Sequence, residues 1–395
     1  MFDMEARHII EALRSGIPSR AVGRCFSEAR PQIMKELSER LNQTSDGKSS
    51  GLIISGKYGE GKTHLLNTVF NMAHSQNMVV SCLSLSKETP LDKLHLVYQK
   101  IAGNTYLPMR RQPGFSQELE KITANSPLGS EMLMYSAKQL ETDKLYFLLR
   151  SYFSTEEADE KFQLMGDLEG DFIAVGALKK IYRRIFNQPA KLSAPFSKTK
   201  NCGDYFAFLS HLFTQMGYNG WVILFDETEL IGRLGKKSRL NAYRNMAYFL
   251  TPPKELESTF TLFALSASYD EDVIEGKHEY DNLAQYFPDH QEPMKSVLSA
   301  LSRAPQLLPL THDEIAEILT RIRDFHGKAY DWQPQVSTEE LMAASINGGF
   351  LLRTRIRAVI EYLDQLYQYG DAGTTQINAP DRESFEETVS LEGIV

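Results

Sequence analysis

Short apolar runs of strand length alternate with amphipathic stretches along the central part of the chain. The apolar runs occupy residues 51–55, 78–85, 221–225 and 260–266, and residues 307–310 predict a short edge strand. Runs without polar alternation are typical of parallel strands that are covered on both faces. Helical spacing over residues 63–74, 90–101 and 239–250 supplies the covering helices. The pattern therefore predicts an α/β fold with a parallel sheet at its core.

Helical patterns flank and interrupt this sheet-forming region. Residues 1–50 predict an N-terminal helical segment, and residues 311–369 predict a C-terminal helical lid. Residues 51–310 then form the central domain, within which residues 102–203 show helical patterns and no convincing strand. We expect those residues to be an all-helical insertion with exposed connections, including a polar acidic stretch over 154–171. Residues 370–395 are polar and predict a weakly held tail.

One motif between the first apolar run and the next helix has a specific chemical meaning. It reads G-x-x-x-x-G-K-[ST], the phosphate-binding loop of nucleoside triphosphatases, here called the phosphate loop. Its residues are Gly56, Lys57, Tyr58, Gly59, Glu60, Gly61, Lys62 and Thr63, and we include His64, which follows, among the nucleotide-binding residues.

Each part of the phosphate loop has a predicted task. Gly56 and Gly61 let the backbone curl so that its N–H groups surround an anion, and a helix that starts near Gly61 adds its positive dipole. Lys62 supplies a charge for the β- and γ-phosphates, and Thr63 offers a hydroxyl to Mg²⁺. The predicted cofactors are therefore ATP and Mg²⁺. The structural alternative is an ordinary glycine-rich turn.

ATP hydrolysis requires a carboxylate near the nucleotide, and two carboxylate residues stand at the end of the most apolar strand. Asp226 is suited to hold Mg²⁺ through water, and Glu227 is suited to orient or deprotonate the attacking water. We call these two residues the acidic pair. Ser266, at the end of another strand, could hold that water near the γ-phosphate, with Ser268 as second choice; serines are also common at strand ends for local reasons. Glu229 could simply cap the next helix.

Basic residues supply further candidates, each with a plain alternative. Arg353, on a lid helix, could sense the γ-phosphate, or it could belong to a solvated basic face. Arg303 could act in trans as an arginine finger on a neighbouring subunit, or it could be a surface arginine. Residues 179–184 interleave basic and aromatic side chains and could touch DNA phosphates, although a solvated helix face explains them more simply.

Composition narrows the class of protein. The chain has 395 residues, is 42% hydrophobic and 24% charged, and carries a net charge of −8. These values fit a globular protein and argue against a surface that coats nucleic acid. Three widely spaced cysteines suggest a reducing compartment, and no signal peptide or membrane span is evident. We therefore expect a cytoplasmic protein.

The order of these parts resembles that of AAA+ ATPases, in particular the origin-recognition and Cdc6-like branch. More narrowly, the chain resembles the ATP-binding family of BREX phage-defence systems. The phrases that carry this resemblance are Ala-Leu-Arg-Ser-Gly-Ile-Pro at 12–18, Ile-Leu-Phe-Asp-Glu-Thr-Glu-Leu at 223–230 and Leu-Arg-Thr-Arg-Ile-Arg at 352–357. The resemblance implies a role in antiviral defence or DNA transactions, with protein partners such as a helicase and possible homo-oligomers.

The chain also departs from this pattern. Leu351 and Leu352 stand where relatives often have Thr-Pro before the lid arginine. Little room follows the lid for a winged-helix DNA-binding domain, so we expect no DNA binding by the protein alone. Two other functions compete with ATP hydrolysis: an ATP-gated interaction switch or scaffold with negligible turnover, and a phosphotransferase that acts on a small molecule.

Overall fold

Five strands form one sheet, and four of them are parallel. The computed structural model describes residues 3–16, 19–26, 30–288, 291–349 and 351–371. The strands are β1 (Ser50–Gly56), β2 (Val79–Ser84), β3 (Thr105–Tyr106), β4 (Trp221–Asp226) and β5 (Thr259–Ser266). Their order is β1-β5-β4-β2-β3, and only β3 runs antiparallel to its neighbour. The predicted α/β fold with a parallel core is confirmed.

Two strand predictions were wrong at the edges of this sheet. Residues 105–106, inside the expected all-helical insertion, form β3 beside β2. Residues 307–310 do not form a strand: the segment meets β1 through one bridge, in which Ser55 accepts from Leu307 N–H at 2.7 Å and donates to Pro305 O at 2.9 Å. Pro305 has no N–H to donate, which limits pairing there to isolated bonds.

Helices account for most of the remaining described residues. Those before β4 are α1 (Met4–Ser15), α2 (Arg20–Cys25), α3 (Pro31–Ser45), α4 (Lys62–Ser75), α5 (Leu94–Gly103), α6 (Ser116–Leu119), α7 (Pro127–Lys138), α8 (Lys144–Tyr152), α9 (Ala158–Gly166), α10 (Val175–Phe186) and α11 (Cys202–Gln215). Those after β4 are α12 (Lys236–Leu250), α13 (Glu279–Tyr286), α14 (Glu292–Ser302), α15 (His312–Tyr330), α16 (Thr338–Ile346) and α17 (Leu352–Tyr369). No helix in the described ranges is long and apolar enough to cross a membrane.

The chain divides into two compact units. One, here called the helical unit, comprises the described residues of Met1–Pro31, Tyr58–Thr68 and Leu308–Val395. The other, the sheet unit, comprises Gln32–Lys57 and the described residues of Val69–Leu307. The phosphate loop therefore leaves β1 in the sheet unit and continues in the helical unit.

The sheet unit has an aromatic core around β4. Its first five residues are buried, as their uniform apolar pattern predicts, and Phe225 stacks on Phe263 of β5 at 4.5 Å between ring centroids. The insertion shares this core rather than standing apart from it. Tyr98 of α5 donates to Leu168 O at 2.6 Å, and a Cβ at Gly170 would lie 2.6 Å from Gln99 Cα, so the two segments are in close contact.

The acidic stretch at 154–171 is mostly exposed over 156–163, as its composition suggests, but mostly buried over 164–170. It contains α9 and a π-helical segment, Asp167–Asp171. Asp167 is completely buried and ion-paired with Lys144, which is also completely buried. The prediction was wrong over 164–170 because burial of a charge depends on a distant partner, which local composition does not reveal.

The helical unit packs α1 together with α15 and α17, which lie in the stretch predicted to be a lid. Its core combines Ile9 and Ile10 of α1 with Ile322 of α15 and Val359 of α17. Arg14 at the end of α1 donates to Asp364 of α17 at 2.7 and 2.9 Å. The first helix is thus an integral part of the same bundle as the lid helices.

Candidate functional site

The end of β1 leads directly into the phosphate loop and α4. Gly56 is the last residue of β1, and α4 begins at Lys62, close to the predicted start near Gly61. Gly61 O accepts the helical bond from Leu65 N–H at 2.9 Å, so Gly61 stands at the N-terminal cap of the helix. The first N–H groups of a helix and its dipole favour an anion at this end.

The glycines that curl the loop are not both the expected ones. Gly59 and Gly61 have φ of 80° and 89°, in the left-handed region that favours glycine, whereas Gly56 is not among the positive-φ residues and ends β1 as ordinary strand. Gly59 is a variable position of the motif, so the motif alone does not identify its role. A Cβ at Gly59 would also lie 3.1 Å from Leu351 Cδ2.

His64 turns its side chain away from a role in phosphate binding. Its Nε2 lies 3.1 Å from Phe26 O. A carbonyl only accepts, so Nε2 carries the proton of a neutral ring. Burial is the main cause of the lowered pKa of His64, and the charge of Arg30 lowers it further. The nucleotide-binding role of His64 stays a prediction.

The acidic pair lies at the end of β4, at the same edge of the sheet as Gly56. Asp226 is half-buried and Glu227 is exposed. Glu227 has φ of 55°, rare for a residue with a side chain, and its N–H donates to Asp226 Oδ1 at 2.9 Å. Strand β5 lies between β1 and β4, so Gly56 and Asp226 end the two strands that flank it.

Ser266 lies between these two strand ends. Its Cα pairs with that of Gly56 in the β1–β5 register, and the next residue, Ala267, donates to Gly56 O at 3.2 Å. The Ser266 hydroxyl contacts that of Ser268 at 3.2 Å. Within the sheet unit, the predicted polar strand end is thus adjacent to the first residue of the phosphate loop.

The arginine candidates occupy different places. Arg303 is exposed at the C-terminal end of α14, just before the segment that meets β1. Arg353 is exposed on α17, and a Cβ at Gly16 would lie 2.2 Å from its Nε, so its guanidinium lies over the end of α1. Arg355 instead donates to Ser345 Oγ at 2.8 and 3.2 Å. The catalytic roles of Arg303 and Arg353 stay predictions.

Two residues that follow the acidic pair have polar atoms buried without a hydrogen-bond partner in the described part of the chain: the Thr228 hydroxyl and Glu229 Oε2. Both belong to the 3₁₀ segment Thr228–Arg233. In the described residues, no group of three or more His, Cys, Asp or Glu side chains is placed to hold a metal ion.

The basic side chains at 179–184 are exposed, whereas the aromatic side chain among them, Tyr182, is buried. Tyr182 is buried and accepts a hydrogen bond from Arg150 at 2.7 Å, and Arg184 pairs with Glu160. Lys179 and Lys180 are exposed. These contacts favour a solvated helix face over an aromatic platform for nucleic acid.

Sequence reasoning missed one residue of the phosphate loop's surroundings. Arg30 donates from Nη2 to Glu60 O at 2.7 Å, and its Nη1 would lie 3.7 Å from a Cβ at Gly61. No local motif marks this arginine, since its contact with the loop spans 30 residues of sequence.

Three comparisons with known proteins bear on this chain. A structural search finds a Walker-type ATPase of Pyrococcus abyssi, 11% identical, with a TM-score of 0.36, covering 85% of this chain and 68% of that one. A search of curated proteins finds no match. The family model for the BREX system ATP-binding protein BrxC/D matches residues 3–124 and 197–380, leaving out a stretch that lies within the insertion. The phosphate loop, the acidic pair and the lid all fall inside this match, and the chain belongs to the BrxC/D family of BREX system ATP-binding proteins.

Proposed function

We propose that this chain binds Mg-ATP at the phosphate loop and hydrolyses it by direct attack of water on the γ-phosphate. The observation that supports this most is the strand order. Gly56, Ser266 and Asp226 end three adjacent parallel strands, β1, β5 and β4. Ligands of open parallel sheets bind at this edge, outside the carboxyl ends of the strands.

The residues have separate tasks in this reaction. Backbone N–H groups at Gly61 and the start of α4 bind the phosphates, and Lys62 balances their negative charge. Glu227 orients the attacking water and accepts its proton. Ser266 holds this water, and Arg353 and Arg303 stabilise charge on the γ-phosphate, the latter from a neighbouring subunit.

The side-chain oxygen atoms of Thr63 and Asp226 suit Mg²⁺. The Thr63 hydroxyl and the Asp226 carboxylate are hard oxygen ligands, and Mg²⁺ in such sites is held by one or two side chains together with substrate phosphates. These two residues would hold the ion, which neutralises phosphate charge when bound.

Membership of the BREX family supports a role in phage defence with protein partners. We propose that ATP turnover rearranges the lid and thereby a partner surface, and that the partner is another component of the defence system, such as a helicase. We further propose that DNA contact, if the system requires it, is made with that partner.

Phosphate release from ATP tests the proposal. Glu227→Gln should retain ATP binding and lose turnover by about 10²- to 10⁴-fold, because a general base contributes that much. Lys62→Ala should lose both. Glu229→Gln is the matched control, since it changes a neighbouring carboxylate, and it should keep the wild-type rate. Running the assay with and without double-stranded DNA, and with light scattering, also reports on DNA stimulation and on ATP-dependent oligomers.

Two results would refute the proposal that the chain hydrolyses ATP. A wild-type rate equal to that of Glu227→Gln, with ATP still bound, would establish the ATP-gated switch instead. Transfer of phosphate to a small molecule, rather than release of ADP and free phosphate, would establish a phosphotransferase.

A further inference from the structure

Arg30 contacts the phosphate loop, and all of its hydrogen bonds described below lie within the helical unit. Its Nη2 donates to Glu60 O at 2.7 Å and its Nε to Leu308 O at 3.2 Å. Its backbone N–H donates to Glu314 Oε1 at 3.1 Å. One arginine thus connects the phosphate loop to the residues that lead into α15.

The backbone of Arg30 is also unusual. Its φ of 61° lies in the left-handed region, which is unfavourable for a residue with a side chain. Such conformations persist where surrounding contacts impose them, and they cluster at functional sites. Here the three hydrogen bonds of Arg30 are contacts of that kind.

The bond to Glu60 O has a direct consequence for the loop. In a trans peptide the C=O and the next N–H point in opposite directions. When Glu60 O is directed at the guanidinium, the N–H of Gly61 is directed away from it. Gly61 has φ of 89° and precedes α4, so this N–H belongs to the anion-binding turn.

We propose that Arg30 is a positioning residue of the phosphate loop: it orients the Glu60–Gly61 peptide so that the Gly61 N–H is presented to the β-phosphate of the bound nucleotide. This inference rests on the proposed function, because it assumes that the loop binds nucleotide. It explains why the guanidinium of the half-buried Arg30 donates to carbonyl oxygens rather than to a carboxylate. The guanidinium holds the peptide as a planar fork with donors to two carbonyls at once.

Calorimetric titration of ADP and of ATP, each with Mg²⁺, tests the assignment. Arg30→Met keeps the stem and removes the donors, and it should weaken both nucleotides about ten-fold or more, as expected for a lost charged hydrogen bond. Arg30→Lys should fall between, since one ammonium cannot serve both carbonyls as a fork. Arg24→Met is the matched control. The Arg24 side chain is 69% exposed and its ion pair with Glu5 spans 3.9 Å, so its removal should leave the affinity for both nucleotides unchanged.

The outcomes separate this inference from the proposed function. If the wild type binds neither nucleotide, the proposed function fails and this inference with it. If the wild type binds but Arg30→Met matches it within two-fold, only the positioning role is overturned. A loss confined to ATP would overturn it too, because that would identify a γ-phosphate contact instead.

Two further measurements distinguish positioning from a general structural role. Unfolding temperatures measured without nucleotide establish whether the variants fold. If Arg30→Met does not fold, the nucleotide affinity of Arg30→Lys is the test. In the hydrolysis assay, Arg30→Met should raise KM with little change in kcat, since the Gly61 N–H contact exists before and during reaction. A fall in kcat at constant KM would contradict the assignment.

Discussion

Within the insertion, we expect stability to be most sensitive to substitution of the buried ion pair between Lys144 and Asp167. Both side chains are completely buried. Tyr205 of α11 donates to Asp167 Oδ1 at 2.6 Å, and Lys144 Nζ lies 4.2 Å from the centroid of the Phe196 ring. Burial raises the pKa of Asp167 and lowers the pKa of Lys144, while each charge opposes the shift of the other. The pair joins the insertion to α11, the helix that precedes β4.

Asp167→Asn breaks this pair while keeping its shape. It leaves an ammonium buried without its counter-charge, and the loss of one partner of such a pair costs about 3–5 kcal/mol. A change of 1 kcal/mol moves the melting temperature of a domain of this size by about 2–4 °C. The variant should therefore melt roughly 6–20 °C below the wild type.

Differential scanning calorimetry measures this fall in melting temperature, and two further variants serve as controls. Lys121→Met removes an exposed lysine that pairs with Glu118, and it should cost at most about 1 kcal/mol. The double variant Lys144→Met/Asp167→Leu should recover most of the loss, because replacing a whole buried pair with apolar side chains is often neutral or stabilising. If Asp167→Asn melts no lower than Lys121→Met, or if the double variant is as unstable as the single one, the assigned energetics are wrong.

Three other predictions concern the surroundings of the phosphate loop. Burial lowers the pKa of His64 below about 6.5. Its contribution to stability is therefore present above that pH and is lost as the pH falls through the folded-state pKa. The melting temperature of His64→Gln, measured relative to that of the wild type, should be higher at pH 5.5 than at pH 7.5, and an unchanged difference would contradict a neutral ring. Gly23→Ala should destabilise the packing of α2 on α4 by about 1–3 kcal/mol, since its Cβ would lie 2.9 Å from the backbone carbon of Asn67; thermal unfolding checks this, and a neutral result would refute the close contact. Gly59→Ala, at φ of 80°, should weaken ADP binding about ten-fold by straining the loop; equal affinities in titration would refute that.

Several features of the fold follow from local sequence. β4 is uniformly apolar because it is covered on both faces, and its end is marked by Asp226. The phosphate loop and the start of α4 are encoded by neighbouring residues, since a glycine turn and a helix start are short-range structures. These elements could be predicted because each depends on residues close together in the chain.

Other local predictions were only approximately placed. The helical pattern over residues 132–153 shows no break of its own, but the structure has α7 and α8 there, with a break between Lys138 and Lys144. Pro31 begins α3, where its missing N–H is tolerated. Periodicity indicates which face is buried but does not locate the turn at which another element requires a break.

Long-range contacts decided the rest. Asp167 belongs to an acidic stretch, and only Lys144 and Tyr205, brought near by other helices, make its burial possible. Arg30 becomes part of the phosphate loop's surroundings only because the chain folds its start against Glu60 and Leu308. The sequence by itself determined the four parallel strands, the phosphate-loop motif and the acidic pair, because those are local patterns. Tertiary structure alone decided which charges are buried and which arginine meets the loop, because both depend on partners that sequence spacing does not specify.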